Sequence, residues 1–486
     1  PAACPSALRR TLSIGLVALL AWHTAPAIAK PGTSLPNTID LNVVRGIAVQ
    51  HDGRWMPLDT LARDMVRSVT GTRTYRDQDP VNWLLAWTFD AHSWMHEPLI
   101  PIGSAELRRE LRLPAERTEF SYAELLQHQP LRDQIEHLSH RGRGKMNPLE
   151  SKVSDINGRL IQLQEVFGNQ VIKPVPDATS AMAAWRPIPF NLDSDDSASA
   201  LERAWTDLGR AFIADDGPAF SAAAQAVSAE LAGLPSAHTP SPARLATELR
   251  YNRLEPYTLA WKLMIGGAAL SALALAVQRR WFDAIAVVVM LAGFGVLTYG
   301  LAMRWQIAGR IPAANMFESL LFLSWGAGAF AIVAMLFLKD RSVPLTASAI
   351  GALALFLADV TGLDSFVRPI PPVLLDTVWM SLHVPVIMVS YAVLAVAALI
   401  AHVQMFSMAV VPHRRQFLQR IDGMHYWYLH VGVILLGVGI VTGSMWAAFS
   451  WGRYWGWDPK EVWSLIAFVA YLVIMHVRVD RERIPF

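Results

Sequence analysis

The chain has 486 residues, of which 53% are hydrophobic and only 17% charged, and it carries 18 tryptophans. That balance excludes an ordinary soluble enzyme and points to a membrane protein. A net charge of +2 gives no reason to expect a nucleic-acid partner, and a single cysteine, Cys4, excludes a disulfide framework and a cysteine-based zinc site.

At the start, Arg9 and Arg10 precede the apolar run Leu12–Trp22, which leads to Ala27-Ile28-Ala29. A basic end, a short apolar stretch and a small-residue site predict a signal peptide over 1–29, or a short anchor that stays attached. Either sends the next stretch of chain across the membrane.

Residues 30–255 predict a mostly helical extracytoplasmic domain. Apolar positions recur at helical spacing in Leu58–Val69, Val81–Phe89, Leu160–Phe167, Leu201–Phe212 and Phe220–Leu231. Thr60, Asp79, Ser199 and Asp216 are candidate helix starts, and Gly71, Gly168 and Gly233 candidate stops. Lys173–Ser199, rich in Pro, Ala, Ser and Asp, predicts a loop. His92 and His96, four apart, lack an evident third metal ligand, as do His137 and His140. Trp83, Trp87 and Trp94 read as core or as membrane-leaning residues. No catalytic motif is evident, and the sequence assigns no catalytic residue.

From 256 to 486 the chain reads as a membrane domain. Apolar runs of spanning length occupy about 258–277, 282–303, 317–338, 343–360, 379–403, 428–449 and 461–479, which predicts an all-α polytopic bundle of seven helices. One set of helix ends carries Arg279, Arg280, Lys339, Arg341, Arg414, Arg415, Arg420, Arg478, Arg481 and Arg483. The other carries Arg304, Arg310, Arg368, Arg453 and Lys460. The excess of positive charge puts the first set in the cytoplasm. The domain at 30–255 and the segment 451–461 then share the outer, periplasmic face of an inner (cell) membrane.

That segment reads Trp451-Gly452-Arg453-Tyr454-Trp455-Gly456-Trp457-Asp458-Pro459-Lys460-Glu461. Interfacial tryptophans are ordinary in membrane proteins. A dense cluster of them, with glycines that admit a flat partner and with charges at its edge, suits a large planar ligand such as haem. Arg453 and Lys460 suit haem propionates or lipid phosphates equally. Asp458 before Pro459, with Glu461 three residues on, also suits a capping box at the start of the last helix. His383 falls near the outer end of its helix and His476 near the inner end of the last one. Histidines within a membrane are functional candidates, and neutral imidazole is a good axial ligand for haem iron. An interhelical hydrogen bond is the plain alternative, and His402 and His430 are not ranked lower by spacing alone.

Residues from about 256 to the end resemble the CcsA (ResC) type of cytochrome c assembly protein of the System II haem-ligation machinery. The segment 451–461 matches that family's tryptophan-rich (WWD) signature, W-G-x-x-W-x-W-D-x-x-E. The family pattern is echoed in Gly309-Arg310-Ile311-Pro312 with Asn315 and Glu318-Ser319, in Leu382-His383-Val384, in Thr442-Gly443-Ser444-Met445-Trp446-Ala447, and in the histidine of the last helix. The resemblance implies c-type cytochrome biogenesis, as a component of a cytochrome c haem lyase that transports haem b and presents it to apocytochrome c at the outer face. It implies His383 as the external ligand of haem iron and His476 as the inner one, with Trp451, Gly452, Arg453, Trp455, Trp457, Asp458 and Glu461 around the bound haem. It implies a ResB/CcsB-type membrane partner. The family also has a second external histidine in a Gly-Leu-His-Ser-Tyr context. Nothing in this sequence matches it, and a partner or a continuation of the chain is expected to supply it. Two other readings stay open: a transporter with an aromatic gate, and a haem b electron-transfer subunit. The placement of His383 and His476 at opposite faces counts against the second.

Overall fold

A computed structural model describes residues 34–140, 146–177, 183–190, 199–234, 239–338, 340–370, 374 and 377–483. The expected signal or anchor at 1–29, with Cys4, lies outside the described residues, as do 178–182 and 191–198 of the expected Lys173–Ser199 loop. The described chain is mostly helical, with two small two-stranded antiparallel sheets.

The amino-terminal unit is built on α1 (Leu58–Thr70), α2 (Pro80–Phe89), α3 (Pro148–Phe167), α4 (Ala200–Ile213), α5 (Gly217–Gly233) and α6 (Pro242–Leu254). Their starts reflect local chemistry. Asp79 accepts a hydrogen bond from the Val81 amide, with Pro80 as the first helical residue. Ser199 and Glu202 form a reciprocal capping box at α4, and Asp216 caps α5. Gly71 ends α1 in the left-handed conformation at φ +76°. Thr60 is not a cap. It lies inside α1, buried, and its hydroxyl accepts from Asn252 at 2.8 Å. The helix starts earlier because β2 (Arg54–Pro57) runs straight into it through extended Pro57.

β2 pairs with β1 (Ala48–His51) across Asp52-Gly53, both with positive φ, +48° and +69°. That is the two-residue turn whose twist matches a hairpin. β3 (Pro98–Pro101) pairs with β4 (Glu119–Ser121). Trp83, Trp87 and Trp94 belong to the core, with Trp83 meeting Trp94 edge-on at 5.0 Å. The His92 and His96 rings sit 6.2 Å apart. His137 and His140 end a helix of their own. No group of three metal-ligating side chains occurs among the described residues.

Among the described residues, seven helices are long and apolar enough to cross a membrane. They are α7 (Pro256–Val277), α8 (Arg280–Ala308), α9 (Met316–Leu338), α10 (Val343–Val360), α11 (Val378–Val410), α12 (Arg415–Trp451) and α13 (Pro459–Arg483). Even α10, with 18 residues, is about 27 Å long at the helical rise, enough for a thin hydrocarbon core. α6 passes into α7 through one residue, Glu255, in the left-handed conformation at φ +43°. The up-and-down order puts the amino-terminal unit, the α8–α9 and α10–α11 loops and the α12–α13 turn at one end of the bundle. α11 and α12 share the largest helix interface, stitched by the Ser390 hydroxyl donating to the Gly432 carbonyl at 2.9 Å. Among the described residues α13 packs mainly on α12, its Phe468, Tyr471 and Leu472 joining an apolar cluster built by α11 and α12, and much of the rest of its surface is exposed.

The loop end is organised around a buried ion pair. Arg304 and Glu318 are both fully buried, 2.8 Å apart. Arg304 also donates to the carbonyls of Ser365 and Phe366 and to the Tyr251 hydroxyl. Glu318 further accepts from Arg310 and from the Ala314 amide at 2.6 Å. Arg310 reaches the Arg368 carbonyl, and Arg368 forks onto Asp64 of α1 at 2.7 and 2.9 Å. Burial holds the Asp64 carboxyl above its ordinary range even beside Arg368. The chain of contacts ties α8, α9, the α10–α11 loop and α1 together. It also shows that Arg304, Arg310 and Arg368 serve protein carboxylates and carbonyls.

Removing one member of a buried pair leaves the other charge stranded, at about 3–5 kcal/mol. Glu318→Ala is therefore expected to lower the unfolding midpoint of detergent-purified protein sharply. Glu461→Ala, which frees backbone amides of a surface turn but strands no buried charge, is expected to shift it much less. Equal midpoints for wild type and Glu318→Ala would show that the pair does not hold this end together.

Candidate functional site

The tryptophan-rich turn forms because both flanking helices end there. Gly452 closes α12 in the left-handed conformation at φ +70°, its amide donating to the Ala448 carbonyl. Asp458 then starts α13. Its carboxylate accepts from the amides of Lys460 (2.8 Å) and Glu461 (3.0 Å), and Pro459 takes the first position. Glu461 folds back, accepting from the amides of Asp458 (3.3 Å) and Gly456 (2.6 Å). This is the capping box read from the sequence, with one extra amide. Both carboxylates are thus engaged by backbone amides of the turn itself.

Arg453 lies 3.6 Å from Glu461 and stacks over Trp451 at 5.6 Å. Its side chain covers Gly456 closely enough that a Cβ there would collide with it. Trp455 and Trp457 meet at right angles with centroids 6.0 Å apart. Trp457 is 71% exposed and sits at φ +59°, a conformation that penalises side chains other than glycine's. The three indoles do not make one flat shelf. Trp455 and Trp457 present an edge and a face, while Trp451 turns inward against Trp446 at 4.9 Å.

His383 lies in the second turn of α11 rather than the first. Its Nδ1 is 2.9 Å from the Gly439 carbonyl of α12. A carbonyl only accepts, so Nδ1 carries the proton and Nε2 keeps its lone pair. Gly443 lies against the ring; a Cβ there would come within 2.7 Å of Cε1. Trp446 lies nearly parallel to the imidazole, with centroids 6.2 Å apart and planes 12° from each other. Its Nε1 and the Ser450 hydroxyl one turn on are buried without a hydrogen-bond partner. Rings and cation thus run in contact from His383 through Trp446 and Trp451 to Arg453.

Gly439, Gly443, Trp446 and Ser450 are not among the site residues expected from sequence. Their spacing of four, three and four puts them on one helix face, which is a readable signal. His476 stands apart. It is exposed on α13, its Nδ1 bonded to the Leu472 carbonyl one turn back at 2.8 Å. His402 and His430 make the same local bond, to Ala398 and Tyr426. Of these four histidines, His383 alone has its ring nitrogen bonded across a helix interface.

A family model described as cytochrome c assembly protein matches residues 313–484. The cytochrome c biogenesis protein CcsA of Synechococcus sp. strain CC9902 is 31% identical over 220 residues, 38% of this chain and 71% of that protein. CcsA of Synechococcus sp. strain RCC307 is 30% identical over 256 residues, 45% of this chain and 82% of that protein. Protein NrfI of Wolinella succinogenes is 27% identical over 451 residues, 89% of this chain. The chain spans about half, 49%, of that relative's length.

Loss of an N-cap carboxylate costs about 1 kcal/mol of helix-end stability. Asp458→Ala is expected to speed amide exchange at Lys460 and Glu461 roughly fivefold, leaving α12 unchanged. Unaltered exchange at those two amides would remove Asp458 from the cap.

Proposed function

The chain belongs to the cytochrome c assembly family, and on that premise we propose that it serves c-type cytochrome biogenesis by holding haem b for attachment to apocytochrome c. The observation that carries this reading is the hydrogen bond from His383 Nδ1 to the Gly439 carbonyl. It presets the tautomer that leaves Nε2 as an iron ligand, as outer partners do for metal-bound histidines. The unpartnered Trp446 Nε1 and Ser450 hydroxyl fit a ligand that brings its own acceptors, and haem propionates are such acceptors. The residues present fit haem on these three counts. A further iron ligand would come from a ResB/CcsB-type partner.

In this reading His383 fixes the iron, and Trp446 and Trp451 line one side of the bound ring. Trp455 and Trp457 form an outward-facing rim, and Arg453 balances propionate charge. Asp458 and Glu461 act through the turn they cap. Haem supplies two vinyl groups, which take up the cysteine thiols of an apocytochrome Cys-x-x-Cys-His segment. This chain contributes no nucleophile. Its residues hold one orientation and keep the reacting edge at the rim, and such positioning lowers a barrier by several kcal/mol (on the order of 7 or more in the best cases). His476 suits an inner way-station, on a helix whose exposed faces await a neighbour. Along the helix axes it lies about 18 Å deeper than His383, so one haem does not join the two.

We assign 1–29 as the targeting segment, 30–255 as the extracytoplasmic domain and 256–486 as the haem-handling membrane domain. Charge supports this orientation. The excess of ten lysines and arginines over five between the two sets of helix ends carries it, because the bias counts basic residues whether or not a carboxylate pairs with them. In a Cys4→Ser background, Tyr454→Cys is expected to react with an impermeant maleimide added outside, and Arg415→Cys only after permeabilisation. Labelling of both from outside would reverse or break the topology.

For the site, haem content of purified variants is the measurement. His383→Ala is expected to lose most bound haem and to regain it with added imidazole. His476→Ala is expected to arrive poorly loaded from cells yet to bind added haem as wild type does. Normal loading and an unchanged absorption spectrum in His383→Ala would overturn the assignment.

A further inference from the structure

A cavity of about 110 Å³ lies where the amino-terminal unit meets the bundle, and the haem-handling site does not use it. Four arginines line it, Arg54, Arg63, Arg67 and Arg73, together with three acids, Glu248, Glu255 and Asp359. Three of the arginines are matched. Arg54 forks onto Glu248 at 2.9 and 2.8 Å. Arg63 meets Asp59 at 2.9 Å and Glu255 at 3.7 Å. Arg73 meets Asp359 at 2.6 Å. Arg67 has no carboxylate within ion-pair distance among the described residues. It donates to the Leu363 carbonyl at 2.9 Å and to the Ser365 hydroxyl, and lies over the Phe366 ring. Those bonds occupy two of a guanidinium's five N–H groups. Burial, reinforced by the neighbouring charge of Arg73, lowers its pKa, and the more distant carboxylates of Asp364, Asp359 and Asp64 offset this only in part.

The rest of the wall mixes polar Thr60, Asn252, Thr258 and Ser365 with Tyr257, Phe317, Leu355 and Val367, and no histidine, cysteine or methionine lines it among the described residues. Thr258, Leu355 and Asp359 of its wall lie at the loop ends of α7 and α10, next in sequence to the exposed Leu259, Phe356 and Val360. Trp261, whose indole N–H donates to Asp359 at 2.9 Å, marks the same level as an interfacial residue. A cation with no direct carboxylate partner, beside exposed apolar helix surface, calls for an anion carrying an apolar tail. We propose that this cavity binds the phosphate of an anionic phospholipid, with Arg67 as its counter-ion and an acyl chain along the exposed surface of α7 and α10. The bound lipid thereby mortars the amino-terminal unit to the bundle, independently of the haem assignment.

The test uses the full chain, purified and delipidated in detergent, with dioleoylphosphatidylglycerol, dioleoylphosphatidylcholine or inorganic phosphate added. Native mass spectrometry counts bound lipid, and thermal unfolding reports protection. Wild type is expected to bind and be protected by phosphatidylglycerol, but not by phosphatidylcholine or by millimolar phosphate. Arg67→Gln is expected to weaken phosphatidylglycerol binding about tenfold, as loss of charge-assisted hydrogen bonds implies. Arg67→Lys, which keeps the charge but not the fork, weakens it severalfold and carries the test if Arg67→Gln does not fold. Wild-type affinity in both variants, or equal binding of phosphatidylcholine, overturns the proposal. Complete displacement of the lipid by inorganic phosphate overturns the lipid assignment in favour of a free-anion site.

Discussion

The buried pair of Arg304 and Glu318 is the contact on which the loop end of this molecule depends. Two charges taken from water need full compensation, and here it comes from three separate segments: Tyr251 of α6, the α8–α9 loop through Arg310 and the Ala314 amide, and the carbonyls at 365 and 366. Apolar packing of comparable volume would tolerate sliding between these segments. Hydrogen-bonded charge does not, because each displaced donor leaves a buried polar group unmet. The pair therefore contributes registration, and through Arg368 and Asp64 it extends that registration into the amino-terminal unit.

Much of this architecture is legible in the sequence, for identifiable reasons. Seven apolar runs are long enough that few other structures accommodate them, and all seven are helices. Asp79, Ser199, Asp216 and the Asp458–Glu461 pair are legible because capping is chemistry between near neighbours. Thr60 misleads because a strand enters α1 through Pro57, so the helix begins without a polar cap. The Asp52-Gly53 turn is a hairpin signal that helical periodicity alone passes over. The ion pair is not legible. Arg304 and Glu318 are fourteen residues apart on different helices, and linear reading counts Arg304 as a loop cation.

The candidate site divides the same way. The family signature and His383 stand out as a run and a motif. Gly443 and Trp446 stand in the echoed stretch 442–447 and share a helix-face spacing, but what they do for His383, with the Gly439 carbonyl fifty-six residues away along the chain, is not written there. A backbone carbonyl has no sequence signature, and an indole in an apolar run reads as packing. The physics of the site lies in what α12 presents to α11, and that requires the interface to be seen.

Trp457 combines two features in one residue: the most exposed indole of the turn and a backbone held at φ +59°. Glycine would relax that backbone by roughly 1–2 kcal/mol. Left alone, the turn is therefore less settled than it needs to be, and its largest apolar surface faces outward. A glycine there would ease the backbone and remove the outward indole in one stroke, so backbone comfort and exposed aromatic surface are exchanged for each other at a single residue.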